Sequence, residues 1–150
     1  MNTVTQDIGA FITRVALGAV LVAHSLYLKL VVYGLPGTAQ FFESIGLPAV
    51  SAYVVFLVEA ISGLALIAGY RTRLAATVVV PILLGATWAH STYGWVFSNE
   101  GGGWEYPLFL AVIALAQTFP GAGALNPSKS ARQSEHQHAD SHRTCHVTSS

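Results

Sequence analysis

The run VSAYVVFLVEAISGLALIAG, residues 50–69, carries a single charged side chain, Glu59, near its middle. At about 1.5 Å of rise per residue, a helix of this length covers about 30 Å, the hydrocarbon thickness of a bilayer. A carboxylate at that depth is too far from either surface to snorkel. It must be paired or protonated inside a helix bundle. Ser62 and Gly63 lie three and four residues on and share the helix face of Glu59. That small, polar face is therefore the one expected to pack against neighbouring helices.

Three more apolar runs flank this one, at about 8–30, 74–93 and 106–119. The first and third are long enough to span a bilayer. The fourth is short, and Trp104 and Glu105 extend it at the depth where aromatic anchors sit. The first run follows Asp7 and holds Arg14 inside it, so it reads as a retained helix rather than a signal peptide, whose short apolar core follows a basic stretch. Over the whole chain, 53% of residues are hydrophobic and only 9% charged, with a mean hydropathy of +0.53. Soluble domains carry about 25% charged residues. The expected fold is all-α: a four-helix transmembrane bundle over residues 1–127, followed by a disordered, polar, His-rich tail over 128–150, where large apolar side chains vanish.

Breakers punctuate the runs. Tyr33-Gly34-Leu35-Pro36-Gly37 ends the first, and a short amphipathic piece over 38–45 carries Phe41 and Phe42. Gly46-Leu47-Pro48 opens the second span, and Gly69-Tyr70-Arg71-Thr72-Arg73 is a tight basic turn. Residues 98–103 form a Gly-rich loop between Trp95 and Trp104, and Pro120-Gly121 stops the fourth. Arg71, Arg73, Lys129, Arg132 and Arg143 fall on one side of a four-span topology, with only Lys29 on the other. The positive-inside rule then puts both termini in the cytoplasm of an inner (plasma) membrane protein, and the loops 31–49 and 94–103 outside.

Ionisable side chains inside spans are expensive, about 2.5–3.5 kcal/mol each on insertion scales, and they direct attention to function. The simplest partner for Glu59 is Arg14, giving a buried charge pair that fixes helix register. His24, Lys29, His90 and Glu105 fall together toward the exterior side, ringed by Tyr27, Tyr93, Trp95 and Trp104. They form a candidate polar pocket for a small polar molecule or a quinone head group. An interfacial belt of snorkelling side chains is the plainer reading. Haem ligation by His24 and His90 would need matching depth and facing geometry, which a sequence does not supply. The tail residues His136, His138, His142, Cys145 and His146 offer metal-ligating groups with nothing to fix their geometry, and no metal site is assigned. A single cysteine excludes a disulfide framework. No nucleotide loop, nucleophile elbow, zinc signature or flavin fingerprint is present, and no basic cluster fits nucleic acid.

Several motifs, in order, resemble the DoxX family of small membrane proteins: RVALG at 14–18 with His24 and Lys29-Leu30, FFESIGLP at 41–48, EAISGLAL at 59–66 with Gly69 and RTR at 71–73, and PGAGALN at 120–126. Ser25 and Asn126 depart from the family pattern, which usually has Gly and Asp there. The resemblance covers roughly residues 8–127. It implies a four-helix inner-membrane protein associated with quinone-linked oxidoreductase assemblies, with Arg14, His24, Lys29 and Glu59 as the residues to carry over. The expectation is a subunit of such a complex, embedded in lipid, with a redox partner protein supplying the cofactor and quinone as bound substrate. The chain has no cofactor motif of its own. A carrier using Glu59 as a protonatable site, and a scaffold without chemistry, are the alternatives.

Overall fold

The computed structural model describes residues 3–119, with side chains from Thr5 onward. The tail and its histidines, with Asn126, lie outside the described residues. Among the described residues there is no strand. Helix α1 (Thr3–Val22) runs without a break into a π-helical stretch, Ala23–Val32. It is followed by α2 (Gly34–Ser44), α3 (Ala49–Ala68), α4 (Thr72–Ala89), a 3-10 turn at Ser91–Tyr93, and α5 (Glu105–Gln117). Among the described residues, three helices are long and apolar enough to cross a membrane: Thr5–Val32 with 28 residues, Ala49–Ala68 with 20 and Thr72–Ala89 with 18. The fourth, α5, has 13 residues and covers about 20 Å, less than a full bilayer core.

Local signals explain the boundaries. α3 ends where Gly69 takes a left-handed conformation at φ 76°. The Tyr70 amide donates to Ala65 O at 2.9 Å and the Gly69 amide to Leu66 O at 3.2 Å, the paired bonds of a Schellman turn. Gly34, at φ 70°, turns the chain from the π-helical stretch into α2. α2 starts earlier than the amphipathic piece expected at 38–45, because Pro36 falls in its first turn, where a missing amide costs nothing.

The packing is antiparallel and pairwise: α1 against α3, α3 against α4, α4 against α5, and α2 against both α3 and the π-helical stretch. The core consists of Leu17, Leu21, Leu66, Ala75, Ala76, Val79, Leu83, Leu110, Ala111 and Ala114. Small side chains dominate where helices meet, as expected when lipid competes equally well for large apolar groups. Large apolar residues such as Ile12, Val54, Ile61, Leu64, Phe109 and Val112 face outward instead. In a soluble protein that surface would drive aggregation; around a membrane bundle it is the lipid contact.

Gly18 and Gly63 mark the α1–α3 crossing. A Cβ on Gly18 would lie 2.8 Å from Gly63 O and 2.8 Å from Ile67 Cγ1, and one on Gly63 would lie 2.9 Å from Val22 Cγ2. A Gly18→Ala substitution should therefore lower stability by about 1–3 kcal/mol through overpacking. Gly9→Ala, with nothing within 4 Å of the new Cβ, should be neutral or add about 0.5–1 kcal/mol of helix propensity. Thermal unfolding of both variants in detergent checks the contrast, and equal stability of the two would contradict the crossing.

Candidate functional site

Glu59 is 5% exposed in the middle of α3. Its Oε2 accepts a hydrogen bond from Lys29 Nζ at 2.5 Å, and the two form an ion pair, with the Lys29 side chain itself largely covered. The Arg14–Glu59 pair expected from the sequence does not form. Arg14 is 1% exposed, and its Nε and Nη1 have no hydrogen-bond partner among the described residues.

The Gly18–Gly63 crossing gives the reason. Arg14 lies one turn before Gly18 on α1, and Glu59 one turn before Gly63 on α3. In an antiparallel pair those steps lead in opposite directions, so the two Cα atoms end up about 12 Å apart along the axis. Side chains also lean toward the N-terminus of their own helix. That rule carries Arg14 and Glu59 further apart. The same rule carries Lys29 down toward Glu59 and Glu59 up toward Lys29.

The π-helical stretch brings the rest of the site into phase. In an α-helix, residues five apart point about 140° away from each other. In a π-helix they stack, because the backbone bonds run from i to i+5; the Tyr33 amide donates to Leu28 O at 2.9 Å in that pattern. His24 and Lys29, five apart, thereby come to one side. Two hydroxyls brace the stretch. Buried Ser25 donates to Leu21 O at 2.9 Å where the α-helix gives way to the π-helix. Buried Thr38 of α2 donates to Gly34 O at 3.0 Å and Lys29 O at 3.4 Å at its far end.

His24 lies within electrostatic reach of Glu59, Lys29 and His90. Its Nδ1 faces Val20 O at 3.3 Å, and its ring stacks on Tyr106 at the start of α5, with centroids 5.8 Å apart. His90, at the end of α4, pairs its Nδ1 with Gly101 O at 3.1 Å and stacks on Phe41 of α2 at 6.2 Å. The four groups therefore come from three elements, with aromatic rings on two sides. Glu105 does not join them. Its Oε1 accepts the Phe97 amide at 3.0 Å, which ties the start of α5 to the 94–104 loop. There the Trp104 amide donates to Gly94 O, the Glu105 amide donates to Trp95 O, and Trp95 packs edge-on against Trp104 at 4.4 Å. An open, apolar groove of about 490 Å³ runs along the outer flank of α5 beside this loop, lined by Trp95, Phe97, Tyr106 and Phe109 among others. Tyr106 belongs to both groove and cluster. Phe41 and Tyr106 carried no signal of a site role in the sequence beyond an aromatic ring at a suitable depth. No group of three or more His, Cys, Asp or Glu able to hold a metal occurs among the described residues.

The DoxX family model matches residues 9–92, more than half of the chain. A protein of Bacillus subtilis (strain 168), named "Putative oxidoreductase CatD", is 34% identical over 121 residues, covering 81% of this chain and 87% of its own length. No solved structure matches.

Removing one partner of a buried pair leaves an uncompensated charge, which costs about 3–5 kcal/mol, whereas an apolar replacement of both is close to neutral. Lys29→Met and Glu59→Leu should each destabilise the protein by that amount, and the double variant by much less than the sum. A double-mutant cycle on detergent-solubilised protein checks this. Additive losses would show that the pair is not an energetic unit.

Proposed function

The chain belongs to the DoxX family, and on that premise we propose that this membrane protein is a subunit of a quinone-linked oxidoreductase, crossing the plasma membrane several times. The observation that carries the reading is the Lys29–Glu59 ion pair, buried among apolar helices with His24 within electrostatic reach and His90 in turn within reach of His24. Intramembrane ionisable clusters are costly and are kept where protons or polar ligands are handled. Lys29 offers N–H donors to a quinone carbonyl oxygen, and the rings of Tyr106, Phe41 and His24 offer faces for a flat head group to stack on. The resemblance of the relative that is named as an oxidoreductase supports the reaction class.

Reduction of a quinone to a quinol takes up two electrons and two protons. The sequence carries no cofactor motif, so the electrons would come from a cofactor-bearing partner protein. The protons would pass through His24 and His90, the two imidazoles of the cluster, which lie within electrostatic reach of each other. With Glu59 as acceptor, the Lys29 ammonium is held in place when the site is empty. Arg71, at the N-cap of α4, and Arg73, in its first turn, support a topology with the α3–α4 junction and both termini on the cytoplasmic side. The cluster then opens toward the exterior half of the bilayer.

A short-chain benzoquinone is the direct probe. It should raise the unfolding temperature of the purified protein, and Lys29→Met should weaken that protection at least ten-fold in quinone concentration. A cofactor-bearing protein should co-purify from mild detergent. If quinone gives no protection and no redox partner is found, the reading fails. Solute flux in proteoliposomes that Glu59→Gln abolishes would then favour a carrier.

A further inference from the structure

Among the described residues, Arg14 is the one buried cation that the Lys29–Glu59 site leaves unused. It is 1% exposed, and both Nε and Nη1 are buried without a hydrogen-bond acceptor among the described residues. Its guanidinium lies 5.1 Å from the Phe11 ring centroid, one turn earlier on α1. That contact satisfies the face of the cation and leaves the Nε and Nη1 donors open. Arginine does not escape a poor environment by releasing its proton. A buried guanidinium with open donors therefore calls for an acceptor.

No carboxylate among the described residues supplies one to Nε or Nη1. Glu59 is taken by Lys29, and Glu105 by the Phe97 amide. Glu43 and Glu100 are exposed, on α2 and in the 94–104 loop, at the opposite end of the bundle. Asp7 lies two turns before Arg14 on α1 and makes no ion pair among the described residues. The level of Arg14 is set by Gly18, whose nearest α3 neighbours are Gly63 and Ile67. One turn further on, Arg14 stands where α3 ends. α5 ends on the same side, since Arg73 Nη2 donates to Phe119 O at 2.8 Å. Helix C-termini carry partial negative charge and favour a cation there, but a dipole end does not replace a hydrogen-bond acceptor for each open N–H. Arg71 and Arg73 add two more cations to this end, exposed, against Asp7 as the one carboxylate there among the described residues.

We propose that Arg14 is an anion-binding residue: the floor of a site, separate from the Lys29–Glu59 cluster, that takes one phosphate-class oxyanion at the end of the bundle where α1 begins and α3 and α5 finish. Arginine N–H groups suit phosphate oxygens in number and geometry. The flanking Arg71 and Arg73 raise the local anion concentration. A phosphate oxyanion has two sources at this level, a phospholipid head group and free phosphate, and the chemistry of capture is the same for both.

The test uses the full chain in phosphate-free maltoside micelles. One arm adds inorganic phosphate and the other adds phosphatidylglycerol to the micelle. The wild type should gain several degrees of unfolding temperature in at least one arm; a gain confined to the lipid arm names the head group, and a gain confined to the phosphate arm names the free ion. Arg14→Gln should show no gain in either. Arg71→Gln/Arg73→Gln should keep more than half of it. If Arg14→Gln does not fold, Arg14→Lys decides, because a retained charge with lost fork geometry should reduce the gain to less than half. No gain in the wild type, or an equal gain in the Arg14 variant, overturns the proposal and leaves Arg14 as a structural cation resting on helix ends.

Discussion

A charged pair between Lys29 and Glu59 inside an apolar bundle constrains nearly everything around it. Each ion alone would cost several kcal/mol to desolvate, and the pair is tolerable only when geometry is good and the surroundings hold it. Three features meet that demand. α1 and α3 approach closely enough at Gly18 and Gly63 to leave no room for lipid between them. The Lys29 backbone is braced from α2 by Thr38. The helix that carries Lys29 is wound as a π-helix over that segment.

π-helical geometry is uncommon because its backbone hydrogen bonds are poorer, and it persists where a function or a tertiary constraint demands it. Here the gain is angular. Ten residues of wider helix turn His24 toward the side of Lys29 and let α2 tuck beneath, so that Phe41 reaches His90. The 94–104 loop completes the same level from the other side, with Glu105 serving the backbone rather than the cluster. Aromatic faces and one ion pair thus share a single depth in the bundle, which is the arrangement a flat, hydrogen-bonding, lipid-soluble ligand would need.

The sequence made the helices legible because hydropathy and the Gly and Pro breakers act locally. The inward face of α3 was legible too, since Glu59, Ser62 and Gly63 repeat at helical spacing. The partner of Glu59 was not. Pairing it with Arg14 assumes that two residues near the centres of their spans lie at one depth. The true register is fixed by the Gly18–Gly63 crossing, and side-chain direction then decides between Arg14 and Lys29 in favour of Lys29. The π-helical stretch has no sequence signature, because its apolar residues fit an α-helix equally well. Glu105 was misassigned for a related reason: depth placed it near the cluster, but its carboxylate was already needed to close a glycine-rich loop.

Between the two polar levels lies a dry layer. Leu17, Leu21, Leu66 and Val79 are all 2% exposed or less, and the glycine crossing closes the space between α1 and α3 at the same height. On one side of this layer sit the Lys29–Glu59 pair and the two histidines; on the other sits Arg14. A proton crossing from one level to the other would have to traverse close-packed, mainly aliphatic side chains, with the buried Ser62 hydroxyl of α3 at that height. The described helices therefore separate the two charges instead of connecting them. Chemistry at the histidine level would take and release its protons through the end of the bundle formed by α2 and the 94–104 loop, and Arg14 would act on the opposite end, through packing and charge rather than through proton transfer.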